Sequence, residues 1–392
     1  MKNASVILLF ILSFFSNKLY SQSGSDTTIY LLTCSPGVAT YSIYGHSALR
    51  VVIPHLQTDQ VYNWGVFDFS TPNFAWKFAK GKLNYLLGVY SYDRFVQEYF
   101  IEKRSIISQK INFDSSEKWK LLDLIRINLL PENRLYRYDF FYDDCSTRIR
   151  DLLEKAVGSK LIYPPDETNR IPTFRAKVGE YQKNYPWLKM GVDLIMGTPG
   201  DKKADFRDRM FLPVDLQRNL TQAVVNRDRK MIPLLSTAEY ILEFDPPVVK
   251  SRFYLTPIFI FTLIFIITVF VSAIYRKGKL INLIDIIIFS LFSVLSLLMI
   301  FFNFFTDHQQ MRWNLNIIWF NPFIVLSLFC LLFKRAGEQW FRIVFYLSVV
   351  FLPLIIIVPY AINSSFVPVI LILVLRSSIR GNFKWNPLSV AE

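Results

Sequence analysis

The 392-residue chain reads as an α+β exported domain followed by an all-α polytopic membrane domain of about five helices. Three observations predict this. Apolar residues make up 52 % of the chain, and nearly all of the excess lies before Phe15 and after Arg252. Between those blocks, β-branched and aromatic runs broken by Pro and Gly alternate with segments of 3.6-residue apolar period. After Arg252 the basic residues sit in short loops between apolar spans, which is how orientation is written into membrane proteins.

The formal charge of +13 divides unevenly along the chain. Residues 22–250 carry 31 Lys and Arg against 27 Asp and Glu, whereas residues 251–392 carry 11 against 4. The positive excess is therefore largely a membrane-orientation signal, and nucleic acid is not an expected partner. Of three cysteines, Cys330 lies in an apolar span, so the polar block can hold at most one disulfide. Cys34 is expected as a packed strand thiol.

In chain order, residues 1–21 have the parts of a signal peptide: Lys2, an apolar stretch from Ala4 to Phe15, and a polar exit at Ser21 and Ser23. The exported domain is expected over residues 22–250. Thr28 to Ile53 predicts two strands around Ser35-Pro36-Gly37, with His46, Ala48 and Arg50 on one face and Ser47, Leu49 and Val51 on the other. VYNWGVFDF predicts a third strand, with Asn63, Gly65 and Phe67 on one side. Leu83–Tyr90 and Ser105–Phe113 read as further strands flanking a helix near Tyr92–Glu102. Ser115 and Ser116 are expected to cap a helix that Pro131 ends. Residues 159–250 are expected to be helices and loops.

The membrane domain is expected over residues 251–392. Spans are predicted at 253–275 and 280–302, with a third ending at Phe333. The apolar run Ile343–Leu375 would extend ~50 Å as one helix, too long for a single crossing. Pro359, Asn363-Ser364-Ser365 and Pro368 make it a hairpin. Five crossings place every basic cluster and the C-terminus on the cytoplasmic side, leaving only Arg252 and Arg312 outside.

The chemistry centres on Tyr138–Gly158. Ile149, Leu152, Leu153, Ala156 and Val157 recur at helical spacing, Gly158 suits a C-cap, and Asp143, Asp144, Ser146 and Thr147 are N-cap types. FFY ahead of them reads as strand-like. Cys145 thus falls in the first helical turn, where unpaired N–H groups and the helix dipole favour the nucleophilic thiolate. The two aspartates oppose it, so a base is required. His55 reads as exposed and His308 lies between spans. His46, mid-strand between Gly45 and Ser47, has no packing reason to be there. Asn63 on the neighbouring strand is the expected orienter of the imidazole, with Asp68 the alternative. Taken singly, Cys145 and His46 would each pass for structural residues; together they form a candidate catalytic pair. No metal-ligand spacing, phosphate-cradling Gly loop or G-x-S-x-G elbow is present, so neither metal nor cofactor is expected.

SPGVATYSIYGHSALRVV, followed about a hundred residues later by YDDCSTRIRDLL, resembles the exported domain of the Lnb lipoprotein N-acyltransferase family. That domain is similar to papain-like NlpC/P60 folds in the permuted order, with His before Cys. TDHQQMRWNLNIIWFNP resembles the outer loop and third span of the family's five-helix membrane part. Where the family typically shows Asn before the cysteine this chain has Asp144, and Gln309 stands where Pro is common. The resemblance implies an acyltransferase of the inner membrane, its catalytic domain in the periplasm. The acyl donor would be a phospholipid and the acceptor a diacylated lipoprotein. Cys145, His46 and Asn63 would be catalytic. Tyr44 and Arg50 are candidate substrate contacts, although an ordinary ion pair is the plainer account of Arg50. His308, Arg312, Trp313 and Asn314 are candidates for an acyl-chain entrance, with an aromatic belt the competing account. Trp76, Lys77 and Lys80 suit the headgroup layer. The alternative function is a membrane-anchored Cys–His phospholipase or NlpC/P60-like hydrolase.

Overall fold

The computed structural model describes residues 26–166, 170–247, 249, 251–275, 278–357 and 362–383; the signal-peptide expectation lies outside them. The chain divides into two compact units, one built on β-sheet and one on long apolar helices.

Among the described residues the first unit carries ten strands: β1 (Thr28–Cys34), β2 (His46–Ile53), β3 (Thr58–Val66), β4 (Asn84–Ser91), β5 (Ile106–Lys110), β6 (Leu135–Arg137), β7 (Leu161–Ile162), β8 (Val224–Arg227), β9 (Lys230–Pro233) and β10 (Glu239–Leu242). Seven form one antiparallel sheet in the order β10-β5-β1-β2-β3-β4-β6, and β7-β8-β9 form a small second sheet. Period-2 alternation gives the large sheet two apolar faces. Leu49, Val51, Trp64 and Leu87 pack with Leu121 of the Ser115–Leu129 helix and Ile149 and Leu153 of the Cys145–Val157 helix. Leu32, Ala48 and Val61 pack with Phe95 and Tyr99 of the Tyr92–Ile101 helix on the opposite face.

Three local expectations change. The Ser115–Leu129 helix is capped by Asp114, in a reciprocal box with Glu117, because an aspartate one residue earlier out-competes the serines as acceptor. Phe140-Phe141-Tyr142 is a turn, not a strand, since the Asp139 carboxylate accepts the N–H groups of Phe141 and Tyr142 at 2.9 and 3.0 Å. The strand lies just ahead, at Leu135–Arg137. Residues 159–250 contain four short strands as well as helices, and β10 closes one edge of the large sheet.

The second unit comprises Val248–Glu392 together with Ala75–Gly81 and Pro172–Lys203. Among the described residues four of its segments are long and apolar enough to cross a membrane: Pro257–Ile274, Lys279–Phe304, Leu315–Leu332 and Glu338–Ile357. The Ile343–Leu375 run is divided, as its length requires, and a fifth apolar helix, Phe366–Arg380, follows a bend in which the Ser365 N–H donates to Asn363 Oδ1 at 2.9 Å. Pro359 lies outside the described residues. Phe289, Trp319, Phe351 and Phe366 fill the bundle interior. Segments from earlier in the chain pack on these helices too. Trp76 stacks on Phe301 at 5.5 Å, Lys80 lies over the Trp76 ring, and the Trp187 indole donates to the Leu255 carbonyl at 2.7 Å.

Inside the bundle Arg376 and Asp285, 1 % and 0 % exposed, form a two-pronged ion pair at 2.6 and 2.8 Å. Arg376 also donates to Ser272, and Arg380 reaches the same aspartate at 2.5 Å. The pair joins three apolar helices where an isolated charge would be costly. Asp285→Ala leaves Arg376 buried without its counter-charge. It should lower the detergent-solubilised thermal midpoint, with a loss of about 3–5 kcal/mol typical of halving a buried pair.

Candidate active site

Cys145 is the first residue of its helix, and Asp144 is the N-cap. The Asp144 carboxylate accepts the N–H groups of Ser146 and Thr147 at 2.9 and 2.8 Å, while Thr147 Oγ1 accepts the Asp144 N–H at 2.8 Å. The helix start is thereby locked, and Cys145, Ser146 and Thr147 are all buried. Burial pushes the Cys145 thiol up from its ordinary value; the N–H groups of Ser47, Ser146 and Cys145 itself, and the Ser146 hydroxyl, act in the opposite sense. Ser146 Oγ lies 3.8 Å from the sulfur and 3.2 Å from Ser47 Oγ. Sequence reading missed Ser47 and Ser146, because the contact spans 99 residues and two serines carry no local signal.

The strand side is set by Gly45. Its φ of +81° places it in the left-handed region, and a Cβ there would meet the Cys34 carbonyl at 2.8 Å. The chain leaves that turn into β2 with His46 opposite Cys34 and Ser47 opposite Thr33. Alternation then directs Ser47 to the face of the Cys145 helix and His46 to the face of Ala48 and Asn63. The His46 Nε2 is hydrogen-bonded to Asn63 Oδ1. Asp68 is not involved: it lies beyond the end of β3 and is bound to Ser70. Among the described residues no hydrogen bond joins the imidazole to the sulfur. What the register does place at the sulfur is the Ser47 amide, the peptide unit that directly follows His46. His46 is pushed down to about 4, first by burial, while the Asn63 bond and the Asp144 charge favour its protonated form.

Cys34 shares the His46 face but is wholly buried, and its thiol is pushed up to about 12, which makes it inert. Tyr44 packs its ring against Phe140 at 4.9 Å. Arg50 forms a fork on Asp59 at 2.8 and 2.5 Å and lies 3.5 Å over the Tyr92 ring, so its donors already have partners. A cleft of about 380 Å³ flanks the outer side of the Cys145 helix, with Trp64, Ile127 and Leu152 as apolar lining and Arg148 and Lys155 among its charged residues. No sequence pattern marked it, because its walls come from β3, three helices and the turn at Asp143.

The remaining candidates belong to the helical unit. His308 Nε2 is 2.9 Å from the Phe78 carbonyl. Arg312 and Trp313 are exposed, and a Cβ on Gly197 would lie 1.8 Å from the Arg312 carbonyl. Asn314 is buried, donating to the Leu194 carbonyl at 2.8 Å and accepting from the Asn316 N–H at 2.9 Å. Asn314 therefore serves packing, whereas Trp313 is open to a lipid or solvent layer.

A histidine held below its unfolded value of 6.5 contributes stability that is complete above pH 6.5 and is lost as pH falls toward about 4. Thermal midpoints measured across that window should decline in the native protein. The decline should be shallower in His46→Gln, which has no proton to take up.

Two family models match the chain in order: the Lnb N-terminal periplasmic domain over residues 16–173 and the Lnb transmembrane domain over residues 249–384. No curated protein and no solved structure matches it. Strands β1 to β7 and the Cys-bearing helix lie within the first span and the apolar helices from Pro257 to Arg380 within the second, so this is a membrane protein with a periplasmic N-terminal domain, tied to lipoprotein biogenesis. The chain belongs to the Lnb family.

Proposed function

We propose that this chain is a lipoprotein N-acyltransferase that carries an acyl chain from a membrane phospholipid, through a thioester on Cys145, to the N-terminal amine of a diacylglyceryl-modified lipoprotein. The single observation that carries the reading is the buried helix-start thiol facing the Ser47 amide, one residue from His46, in a chain of the Lnb family. In this reading residues 22–250 are the catalytic domain, exported by a signal peptide over 1–21, and residues 251–392 hold it at the inner membrane. The distribution of basic residues supports a cytoplasmic C-terminus.

His46 takes the thiol proton as the sulfur attacks the ester carbonyl. The ester C–O bond then breaks, the lysophospholipid oxygen takes that proton, and the thioester remains. The lipoprotein amine attacks the same carbonyl, the sulfur leaves, and the amine proton returns through His46. His46 is neutral at pH 7, as a general base must be, and the Asp144 charge favours the imidazolium that forms. The imidazole is bound to Asn63 on the face of β2 away from the Cys145 helix, so this reaction requires the His46 end of β2 to turn the ring toward the sulfur once an ester is bound. Asn63 orients the ring. The N–H groups of Ser47 and Cys145 are the donors nearest the reacting carbon, because those of Ser146 and Thr147 are held by Asp144. Trp313 and His308 are proposed acyl-chain contacts at the outer interface, with Arg312 beside them. Tyr44 would border the acceptor side, and Arg50 could meet a phosphate only by leaving Asp59.

The same pair with water as acceptor would make a phospholipase or an NlpC/P60-like hydrolase. Several membrane-spanning segments favour a lipid ester over a cell-wall peptide as donor. Intact-mass measurement with phospholipid present should show an acyl adduct on native protein and none on Cys145→Ser. His46→Ala should lower adduct formation by at least 10²-fold, the usual scale of general-base loss. Transfer to a synthetic lipopeptide amine establishes the acyltransferase, whereas release of free fatty acid alone would replace it with the hydrolase.

A further inference from the structure

Asp144 is 2 % exposed, and among the described residues no lysine or arginine pairs with it. The adjacent Asp143 is fully engaged by Arg148 at 2.5 and 2.9 Å. Arg148 in turn lies 3.5 Å over the Tyr136 ring, so the nearest cation is committed elsewhere. Asp144 instead takes three donors from its own helix: the N–H groups of Ser146 and Thr147 and, at 3.0 Å, the Thr147 hydroxyl. Such helix-start groups are the ones an anion at Cys145 would otherwise use. Two ionisable groups thus stand next to each other in a buried place: burial and the sulfur's charge raise the Asp144 carboxyl well above its ordinary value, the donors of Thr147 and Ser146 act in the opposite sense, and the pair carries one negative charge rather than two.

The surrounding groups do not offset this. On β2 the nearest titratable group is His46, which is neutral; on β6 and the residue after it are Tyr136 and Tyr138, both pushed up by burial. Across the sheet, Arg104 is engaged with Glu102 and the Ser35 carbonyl, near Glu98 and Cys34. Among the elements packed on the Cys145 helix, Asp215 is paired with Arg218, Glu117 with Arg227 and Asp123 with Arg126. Asp208 adds a further acid, and Arg150 is turned to Asp151.

We propose that Asp144 is a positioning residue that keeps Cys145 a thiol between turnovers. Its buried carboxylate holds the helix-start donors and sets a negative charge beside the sulfur, so the proton leaves only to the imidazole when an ester is bound. This rests on Cys145 being the nucleophile. The consequence is protection: a resting thiolate in an oxidising compartment would be open to oxidation, whereas a resting thiol is not.

The test is the pH profile of Cys145 alkylation by iodoacetamide, in which the S–C bond forms, iodide leaves and the thiol proton goes to solvent. It is read by peptide mass spectrometry on the full chain in a detergent that contains no ester bond, so that no acyl donor is present. Asn and Ser both retain a capping oxygen without the charge. Asp144→Asn and Asp144→Ser should move the Cys145 midpoint down by about one pH unit, giving roughly tenfold faster alkylation below it. The Cys34 profile should not move in either variant. Unchanged Cys145 midpoints in both variants, at unaltered thermal midpoint, would overturn the proposal. Alkylation does not require acyl transfer, so failure of the transferase reading and failure of this one give different results.

Discussion

The pairing of β1 with β2 is the constraint on which the sheet unit depends. Seven residue pairs, from Thr28 opposite Val52 to Cys34 opposite His46, set which side chains meet which helix. A slip of one residue would exchange the faces, sending Ser47, Leu49 and Val51 away from the Cys145 helix and Ala48 toward it. Gly45 makes that slip difficult. Its left-handed turn sits against the Cys34 carbonyl, and no residue with a side chain fits there without moving the strand. The helix end is held as firmly by the Asp144 box. Two locally determined pieces, a glycine turn and a capped helix, are thereby brought to one place by sheet register.

Electrostatics around the sulfur follow from that arrangement. A helix start is often described as a source of thiolate stabilisation, and here the dipole is already answered by the cap. What acts on the sulfur is one amide from β2, its own amide and the Ser146 hydroxyl, together with the Ser146 N–H that Asp144 also takes. The balance of a buried acid, a neutral histidine and a buried thiol describes a site whose sulfur and imidazole both rest uncharged. In the proposed reaction the proton is transferred within the complex, with no standing ion pair.

Much of this was legible in the sequence, for reasons that can be named. The apolar spans stand out because a bilayer demands a length that few other structures need. The helix of Cys145 stands out through its 3.6-residue period and the cap letters before it. The partner of His46 was legible to within two choices, since β-strand alternation placed Asn63 on a shared face, and the observed bond selects it over Asp68. The turn at Phe140 was misread because aromatic letters favour strands, while the Asp139 side chain that bends the backbone acts locally and without periodicity. The contact of Ser47 with Ser146 joins residues far apart in the chain and left no trace in either segment. The edge position of β10 depends on a sheet that only tertiary pairing defines.

Residues Ala75–Gly81 lie between β3 and β4 in the chain, yet they pack with the apolar helices through Trp76, Phe78 and Lys80. Domain excision cannot follow the linear boundary near residue 250. A fragment cut there keeps Trp76 and Phe78, which are 56 % and 51 % exposed even with their helical partners in place, and strips those partners away. The outcome is a sticky loop in the middle of a sheet. Dissecting this chain into soluble halves would require rewriting that short helical segment as well as choosing an end point.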